Sequence, residues 1–550
     1  MKDLLRLCQQ ALGASERLQE GLLAALRQRL NQAAQGGADP LQQEQAAAHG
    51  CAWAATYVQA LRQMHGWAAR LAQQGKFGEI ESLLLGAAFA EYLAQLAGGL
   101  PMSQGEYFRA DTLDTGGRQL SAFVQDAAVA QLRAKGFDSA ARARIATLVS
   151  EGAATREFGD PGFSDPTLYE IREQFARYGQ DRAGPAHQWH LANALIPDAV
   201  LDELAALGVF GLTIAELDGG SGLGKSAMCV VTEELARAHI GLGSLATRTE
   251  IAGELISGDG TDEQKTRLLP LIASGKMIPC ASFTEPDVGS DLGAIQCRAE
   301  QVMGGWRIHG NKTWTTHGAR SDLMTLLVRT EREAPGYHGL SMFLAEKPRG
   351  TDANLFPAPG MSGSEIEVLG YRGMREYEIA FDGFFVPDAA LLGGQTGRGF
   401  KQLMKTFESA RIQTAARATG VAQNALELAL TYAQQRKQFG SSLMAFPRVA
   451  DKIAWMAVET MVARQLTLHA AREKDAGHRC DIEAGMAKLL AARAAWSNAD
   501  NALQVHGGNG YALESRISRV LCDARILNIF EGAAEIQANI IAKGLLSRAG

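Results

Sequence analysis

Apolar residues recur over the first 155 residues at the spacing of an amphipathic helix. One stripe advances by three and four positions through Trp53, Tyr57, Leu61, Met64, Trp67 and Leu71. Such spacing puts side chains on one helical face, so the pattern predicts a helical extension over residues 1–155, with the stripe as packing core. Residues 156–166 contain two prolines and three acids among glycines, which predicts a linker.

The pattern then changes twice along the chain. Residues 167–280 are predicted to be helical, and residues 394–550 carry long helical runs. Between them, residues 281–393 contain short segments, several β-branched or alternating, separated by Gly or Pro. The strands predicted in this block are 306–309, 323–329, 340–345, 365–369 and 377–386. The predicted fold class is mainly α with a central β domain: an extra N-terminal helical domain, a second helical domain, the β domain and a C-terminal helical bundle.

Composition narrows the class of protein. The 550 residues carry 54 Lys and Arg against 60 Asp and Glu, a net charge of −6, so no basic surplus favours nucleic-acid binding. The longest apolar run, residues 83–90, is far shorter than the ~20 residues of a membrane span. No signal-peptide core follows Met1. The seven cysteines form no CxxC pair, which favours a reduced cytoplasmic compartment and indicates neither a disulfide framework nor a metal site.

Residues 219–226, GGSGLGKS, satisfy the phosphate-loop pattern G-x-x-x-x-G-K-[ST]. In that motif the glycine loop presents backbone N–H groups to phosphates, and Lys225 would reach the terminal ones. No parallel βαβ succession follows, and no convincing strand ends in a magnesium-binding Asp. The alternative is a glycine-rich turn capped by Ser226 ahead of a helix. A nucleoside triphosphatase is therefore the remote alternative function.

Five short motifs carry candidate chemistry. They are SFTEPDVGSD (282–291), NKTWTTH (311–317), RKQFG (436–440), QVHGGNG (504–510) and IFEGAAEIQ (529–537). The first combines hydroxyls with a glycine loop suited to a phosphate or the polar edge of a cofactor. The second offers an indole and hydroxyls that could line the binding site of an aromatic ring system. Each is weak alone, since a glycine turn after a helix is usually only its C-terminus.

Taken together, with all five motifs in order and at family spacing, the chain from about residue 165 to 550 resembles the acyl-CoA dehydrogenase family. These flavoenzymes desaturate acyl-CoA thioesters between Cα and Cβ. The resemblance implies FAD as cofactor, an acyl-CoA substrate and electron-transfer flavoprotein as electron acceptor. Stretches 339–352, 407–423 and 521–537, with the N-terminal extension, resemble members that act on a short branched dicarboxylic acyl-CoA. A butyryl-, isobutyryl- or glutaryl-type substrate is the alternative.

The resemblance also implies roles for individual residues. Glu531 matches the base that takes the α-proton while the flavin takes the β-hydride, and Gly532 allows close substrate approach. Residues matching the flavin lining are Phe283, Thr284, Ser290, Trp314 and Thr316, with Ser290 also a substrate contact. Residues matching those that hold the FAD of a neighbouring subunit are Arg436, Gln438, Phe439, Gln504, Gly507 and Gly508. Glu408 and Arg411 match positions that grip CoA.

A dicarboxylic substrate needs a cation, because burying a second carboxylate unpaired is costly. Arg248 lies on the helix that forms the base of the acyl pocket in relatives. We expect it to pair with that carboxylate; the alternative is a salt bridge to Glu250 or Glu254. His317 and Arg320 are weaker candidates. A shared FAD site implies at least a homodimer. In the family's tetramers the C-terminal bundles meet across a second interface, so we predict that the extension covers this face and leaves a dimer.

Overall fold

The structure is a computed structural model that describes residues 2–36, 39–114, 116–152 and 158–548. It divides into two compact units. Unit 1 combines Met1–Tyr169 with Thr414–Gly550, and unit 2 is Glu170–Gln413. The predicted N-terminal extension and most of the predicted C-terminal bundle therefore belong to one unit.

Helices form nearly all of unit 1 and the two ends of unit 2. They are α1 Lys2–Ala33, α2 Pro40–Gln43, α3 Gln45–Gln73, α4 Glu79–Gly98, α5 Arg118–Gln125, α6 Ala127–Lys135, α7 Ser139–Glu151, α8 Thr167–Leu191, α9 Asp198–Ala206, α10 Lys225–Ala238, α11 Ile240–Asp259, α12 Asp262–Ala273, α13 Gly399–Gln435, α14 Pro447–Asp475, α15 Asp481–His506, α16 Arg516–Ile526 and α17 Ala534–Arg548.

Strands are confined to short pairs in unit 1 and to one sheet in unit 2. They are β1 Leu100–Pro101, β2 Tyr107–Phe108, β3 Pro279–Ser282, β4 Arg298–Val302, β5 Gly305–Lys312, β6 Leu323–Arg329, β7 Leu340–Glu346, β8 Met361–Ile366, β9 Glu376–Pro387, β10 Lys437–Gln438 and β11 Ser441–Ser442.

Helix α3 lies at the centre of unit 1. Its predicted apolar stripe is buried throughout, from Trp53 at 2% exposed to Leu71 at 0%, which confirms its interpretation as core. The helix packs against α1 and α4 of the extension and also against α14, α15 and α17 of the bundle. Extension and bundle therefore share one hydrophobic core, and burial of this shared apolar surface holds them together.

A buried arginine also links the extension to the bundle within unit 1. Arg493 of α15 forms an ion pair with Glu459 of α14 at 3.0 Å. It also donates to the Tyr57 hydroxyl of α3 at 2.5 Å and to the Pro101 carbonyl at 2.9 Å. Its guanidinium lies 5.2 Å from the Trp53 ring centroid. Because charge and hydrogen-bonding groups are both matched, this cation can be buried without a large desolvation penalty.

The described part of the predicted linker, residues 158–166, packs against other parts of unit 1. Residues 156 and 157 lie outside the described residues. Beyond them, the Asp160 carbonyl accepts from the Trp67 indole at 2.9 Å, and the Pro161 carbonyl accepts from the Gln465 amide at 2.8 Å. The segment thus connects the extension to α8 while bonded to α3 and α14.

One helix in the described part of the chain, α4, is long and apolar enough by composition to cross a membrane. Of its apolar window, 61% is buried inside the protein. Its apolar residues pack against α3, α6 and α14, as expected of a core helix in a folded domain.

Unit 2 is built on a seven-stranded sheet in the order β3-β6-β4-β5-β9-β8, with β7 paired to β6. Four of the five predicted strands coincide with β5, β6, β7 and β9. The segment predicted at 365–369 is only partly a strand, because β8 starts at Met361 and follows the register of the long strand β9. Strands β3 and β4 were not predicted: β4 reads RAEQV, too polar to show a buried face, and forms by a tight hairpin with β5.

Candidate active site

The phosphate-loop match has no phosphate-binding structure. Backbone N–H groups of its glycine turn donate to protein carbonyls, in the pairs Gly220 to Ala215, Ser221 to Gly211, Gly222 to Ile214 and Leu223 to Leu212. A 3-10 turn, Val209–Gly211, and not a strand precedes it. Lys225 forms ion pairs with Glu250 and Glu254. Helix α10 begins at Lys225 with Gly224, and not Ser226, as its N-cap. The turn is a structural one.

Two of the predicted motifs meet at one end of the sheet in unit 2. The loop after β3 and the loop after β5 are joined by a hydrogen bond from the Thr313 N–H to the Thr284 carbonyl, 2.9 Å. Lys312, fully buried, donates to the Phe283 carbonyl at 2.9 Å and to the Glu285 carboxylate at 2.9 Å. A buried ion pair that is fully hydrogen-bonded fixes its surroundings, so these contacts hold the two loops in place.

The loop after β5 presents an aromatic ring to solvent. Trp314 has φ +55° and its side chain is 55% exposed. His317, Tyr371 and Arg375 also have positive φ, at 65°, 61° and 58°. Non-glycine residues rarely adopt this conformation, and such strain concentrates at functional sites. Ser290 lies in the exposed loop after β3, and Phe283 is partly buried against the core.

Thr316 lies below this surface and its hydroxyl is already engaged. The hydroxyl donates to the Glu376 carboxylate at 2.8 Å and accepts from Arg248 Nη2 at 2.9 Å. Thr316, Glu376 and Arg248 are 4%, 7% and 9% exposed. The threonine side chain therefore links an arginine to an acid.

The two carboxylates named in the alternative salt bridge for Arg248 have a cation partner in Lys225. Glu250 and Glu254 both pair with Lys225. Burial alone would lower the pKa of Lys225, but these two carboxylates outweigh it and raise the pKa. Arg248 donates to Thr316, in the loop that carries the exposed indole.

The two weaker candidates for binding a substrate carboxylate are unsuited to it. Burial, with the Arg320 and Arg248 cations nearby, lowers the pKa of His317 to about 3, so this imidazole is neutral near pH 7. Arg320 is held by the Asp198 carboxylate and the Ile196 carbonyl.

Glu531 occupies a strained turn of unit 1 between α16 and α17. It has φ +53°, and Gly532 after it has φ +90°. The Gln537 amide donates to the carbonyls of both residues, at 3.0 and 3.2 Å, and Lys488 donates to the Gly532 carbonyl at 2.6 Å. A Cβ on residue 532 would lie 2.3 Å from Gln537 Nε2. The positive φ favours glycine there, and a larger residue would also have to displace the Gln537 amide.

The sequence did not predict the partner of Glu531. Arg417 of α13 donates to Glu531 Oε2 at 2.5 Å and to the Thr414 hydroxyl at 2.7 Å. Its side chain is 0% exposed, and that of Glu531 is 13% exposed. The guanidinium lies 4.8 Å from the Phe530 ring centroid. The only sequence signal was a charged residue among small ones, in TAARATG.

Two exposed elements of unit 1 carry the residues predicted to hold FAD across a subunit boundary. Arg436 directly follows α13 and leads into the β10–β11 hairpin, where Phe439 is 94% exposed. Gln504 and the pair Gly507 and Gly508 lie exposed at the end of α15, and a side chain on either glycine would meet only open space. The ring of Phe439 is therefore open to contact with another molecule.

The remaining predicted residues lie on α13 within unit 2. Arg411 is 9% exposed, and its guanidinium lies 5.7 Å from the Phe407 ring centroid. Glu408 is half-buried on the neighbouring turn. In the described part of the chain, no cluster of three or more His, Cys, Asp or Glu side chains is placed to hold a metal ion.

Comparison with known proteins defines the class to which this fold and these residues belong. The N-terminal, middle and C-terminal domains of acyl-CoA dehydrogenase match residues 165–276, 280–384 and 397–546. The chain belongs to the acyl-CoA dehydrogenase family, whose members are flavoproteins that act on acyl-CoA substrates.

Individual relatives differ in how much of the chain they match. A (2S)-methylsuccinyl-CoA dehydrogenase of Cereibacter sphaeroides is 58% identical over 99% of this chain and 98% of its own. A benzylmalonyl-CoA dehydrogenase of Aromatoleum aromaticum is 36% identical over 68% of this chain and 97% of its own. A solved complex of glutaryl-CoA dehydrogenase with glutaryl-CoA has TM-score 0.66 and 30% identity, covering 70% of this chain and 96% of that one.

The residues present fit a flavin. Unit 2 offers an exposed indole face beside the hydroxyl-bearing loop 283–291, which suits a flat aromatic ring with a polar edge. Unit 1 offers an exposed, glycine-rich helix end, where the absence of side chains on Gly507 and Gly508 lets a ligand approach the backbone closely.

Proposed function

We propose that this protein is an FAD-dependent dehydrogenase that converts (2S)-methylsuccinyl-CoA to mesaconyl-CoA, a step of the ethylmalonyl-CoA pathway. The observation that carries the proposal is 58% identity over 99% of the chain to an enzyme of that name. That match covers nearly the whole chain, the N-terminal extension included, whereas the benzylmalonyl-CoA enzyme matches 68% of it. The contact between Glu531 and a buried arginine supports a substrate that itself carries a carboxylate.

In this proposal Glu531 removes the α-proton of the thioester. Gln537 and Lys488 donate hydrogen bonds to the backbone carbonyls of its turn. The backbone therefore does not need to move during proton transfer. Gly532 keeps the approach to the carboxylate open. FAD, when bound, accepts the β-hydride. We assign its lining to Phe283, Thr284, Ser290, Trp314 and Thr316.

Two arginines are candidates for the free carboxylate of the substrate, one in each unit. Arg417 contacts the proposed base directly. Arg248 lies next to the loop that carries Trp314. An unpaired buried carboxylate would be costly, and guanidinium is the side-chain group that binds carboxylates with two parallel hydrogen bonds.

Arg248→Ala is expected to raise KM for methylsuccinyl-CoA at least tenfold, because a charge-assisted hydrogen bond to the substrate would be lost. The same change disturbs the buried Glu376, so Arg248→Ala/Glu376→Gln is the matched control. The double variant should recover the thermal stability and the flavin content of the unchanged protein. Its KM for methylsuccinyl-CoA should stay raised. Steady-state kinetics with unchanged KM in both variants would show that Arg248 has only a structural role.

The proposed partners are electron-transfer flavoprotein as electron acceptor and a second copy of the chain. Because Phe439 and its hairpin are exposed, we assign Arg436, Gln438, Phe439, Gln504, Gly507 and Gly508 to the FAD of the partner subunit. Helices of the extension cover α14, α15 and α17, which supports a homodimer; a tetramer by light scattering would contradict it.

The seven thiols are unbridged and six are buried, in keeping with a cytoplasmic enzyme.

The deciding experiment is an anaerobic titration of the purified yellow protein with (2S)-methylsuccinyl-CoA. The visible flavin band is expected to bleach at about one equivalent, and butyryl-CoA should leave it unchanged. Bleaching only by butyryl-, isobutyryl- or glutaryl-CoA would agree with the family but contradict methylsuccinyl-CoA as the substrate. A colourless protein that cannot be reconstituted with FAD would contradict the proposal altogether.

A further inference from the structure

Lys225 begins α10 in unit 2 and lies between two acidic side chains of α11. Its ammonium forms ion pairs with Glu250 and, at 2.7 Å, with Glu254. The side chains of the lysine and the two acids are 11%, 6% and 20% exposed. The carboxylates lie one helical turn apart, where like charges repel each other, and burial strengthens the repulsion. The lysine cation between them offsets it.

Glu254 also contacts a second helix of unit 2. Its carboxylate accepts from the Ser409 hydroxyl of α13 at 2.5 Å, and Ser409 is 1% exposed. A further contact between the two helices joins Lys405 of α13 to Asp259 of α11 at 2.9 Å, but the lysine side chain there is 53% exposed. An exposed ion pair contributes little, so the buried contact from Ser409 to Glu254 is the stronger link between α11 and α13.

Ser409 lies between two residues that the family resemblance assigns to the substrate. Glu408 precedes it and Arg411 follows two positions later, and both match positions that grip CoA. Helix α11 matches the helix that forms the base of the acyl pocket. The contact from Glu254 to Ser409 therefore joins the acyl-pocket helix to the CoA-binding turn. The inference rests on the proposed function and takes Glu408 and Arg411 as CoA contacts.

Loss of the Lys225 cation would drive the two carboxylates of α11 apart. The backbone of α11 is held by its apolar side, where Ile251 and Leu255 are 5% and 1% exposed. The acidic side chains therefore move instead, and Glu254 turns away from Ser409. The CoA-binding turn of α13 then loses a buried hydrogen bond, and small displacements of binding groups have large effects on function.

We propose that Lys225 is a positioning residue for CoA: it keeps Glu254 on Ser409 and so fixes the CoA-binding turn of α13 against the acyl-pocket helix α11. Its role concerns the nucleotide part of the substrate and not the acyl part. The two parts should therefore respond differently when the lysine is replaced.

The test measures the two parts of the substrate separately. Binding of free CoA to the holoenzyme is followed by isothermal titration calorimetry. The acyl part is tested with methylsuccinyl-N-acetylcysteamine, a thioester that lacks the nucleotide, in steady-state kinetics. In Lys225→Met, the Kd for CoA and the KM for methylsuccinyl-CoA should rise at least tenfold. The kcat at saturation and the kcat/KM for the truncated thioester should change less than threefold, since only binding of the nucleotide part is lost.

Ser409→Ala tests the same link without changing a charge. The Kd for CoA should rise at least threefold, and turnover of the truncated thioester should stay within threefold of that of the unchanged protein. Because alanine is well tolerated in a helix, this variant tests the inference if Lys225→Met loses its flavin or its helical circular dichroism.

Two further variants serve as rescue and control. Lys225→Met/Glu254→Gln should recover most of the CoA affinity, because the amide removes the repulsion and can still accept from Ser409. Arg172→Met is the matched control: it removes a cation that pairs with the buried Glu234 of α10 at 3.1 Å, and Glu234 also pairs with Arg237. The control should change the Kd for CoA less than twofold.

The outcomes distinguish this inference from the proposed function. An unchanged protein whose flavin ignores methylsuccinyl-CoA contradicts the proposed function. Bleaching by methylsuccinyl-CoA, together with an unchanged Kd for CoA in Lys225→Met or in Ser409→Ala, overturns the role of Lys225 alone. So does an equal loss of kcat/KM for methylsuccinyl-CoA and for the truncated thioester, or a double variant that binds CoA no better than Lys225→Met.

Discussion

Replacing Glu531 with glutamine is expected to lower kcat with methylsuccinyl-CoA by about 10²–10⁴-fold, the usual contribution of a positioned general base. The amide keeps the size of the side chain and can still accept from Arg417, so the turn between α16 and α17 should be preserved. What is lost is the capacity to take a proton. The flavin colour should remain, whereas the thermal stability should fall, because the buried Arg417 cation loses the charge of Glu531.

The measurement is the rate of anaerobic flavin bleaching in a stopped-flow instrument. Glu535→Gln is the control, because Glu535 lies exposed on the first turn of α17 and its loss should change the rate less than twofold. If the Glu531 variant bleaches as fast as the unchanged protein, another group takes the proton.

The second large effect is expected in stability and not in catalysis. Arg493→Leu should cost about 3–5 kcal/mol, because it leaves the buried Glu459 carboxylate without its cation. The Tyr57 hydroxyl and the Pro101 carbonyl lose a donor at the same time. Tyr57 and Pro101 belong to the extension and Glu459 belongs to the bundle. The variant should therefore destabilise the packing of both.

Denaturant unfolding followed by far-ultraviolet circular dichroism checks this prediction. Arg493→Leu/Glu459→Leu should recover most of the loss, because a buried ion pair is replaced by apolar side chains. Arg62→Leu is the control: Arg62 and its partner Glu16 are 45% and 36% exposed, and such pairs contribute about 0–1 kcal/mol. An Arg493 variant no less stable than the Arg62 variant would show that the buried network is unimportant.

Sequence patterns predicted the elements that depend on local periodicity. The stripe of α3, the long helices of the bundle and strands β5, β6, β7 and β9 follow from spacing alone. Strand β4 could not be predicted, because its residues are polar and only pairing with β5 and β6 makes it a strand. The start of β8 depends in the same way on the register of β9.

The candidate site was only partly predictable, for a similar reason. The family resemblance pointed to Glu531, Gly532 and Trp314 through their motifs, and the structure gives all three a positive φ. Motifs did not identify Arg417, which is distant from Glu531 in sequence and is brought to it by the packing of α13. The contact of Arg248 with Thr316 was also missed, since it depends on how α11 packs beside the loop after β5.

The shared core of extension and bundle has a consequence for behaviour on dilution. A surface covered by a second subunit is uncovered when the complex dissociates, so its protection depends on protein concentration. In unit 1 the covering helices belong to the same chain as α14, α15 and α17, and a tethered partner has a fixed effective concentration. The apolar face of the bundle should therefore stay buried at nanomolar protein concentration as it does at micromolar concentration, whether or not subunits associate.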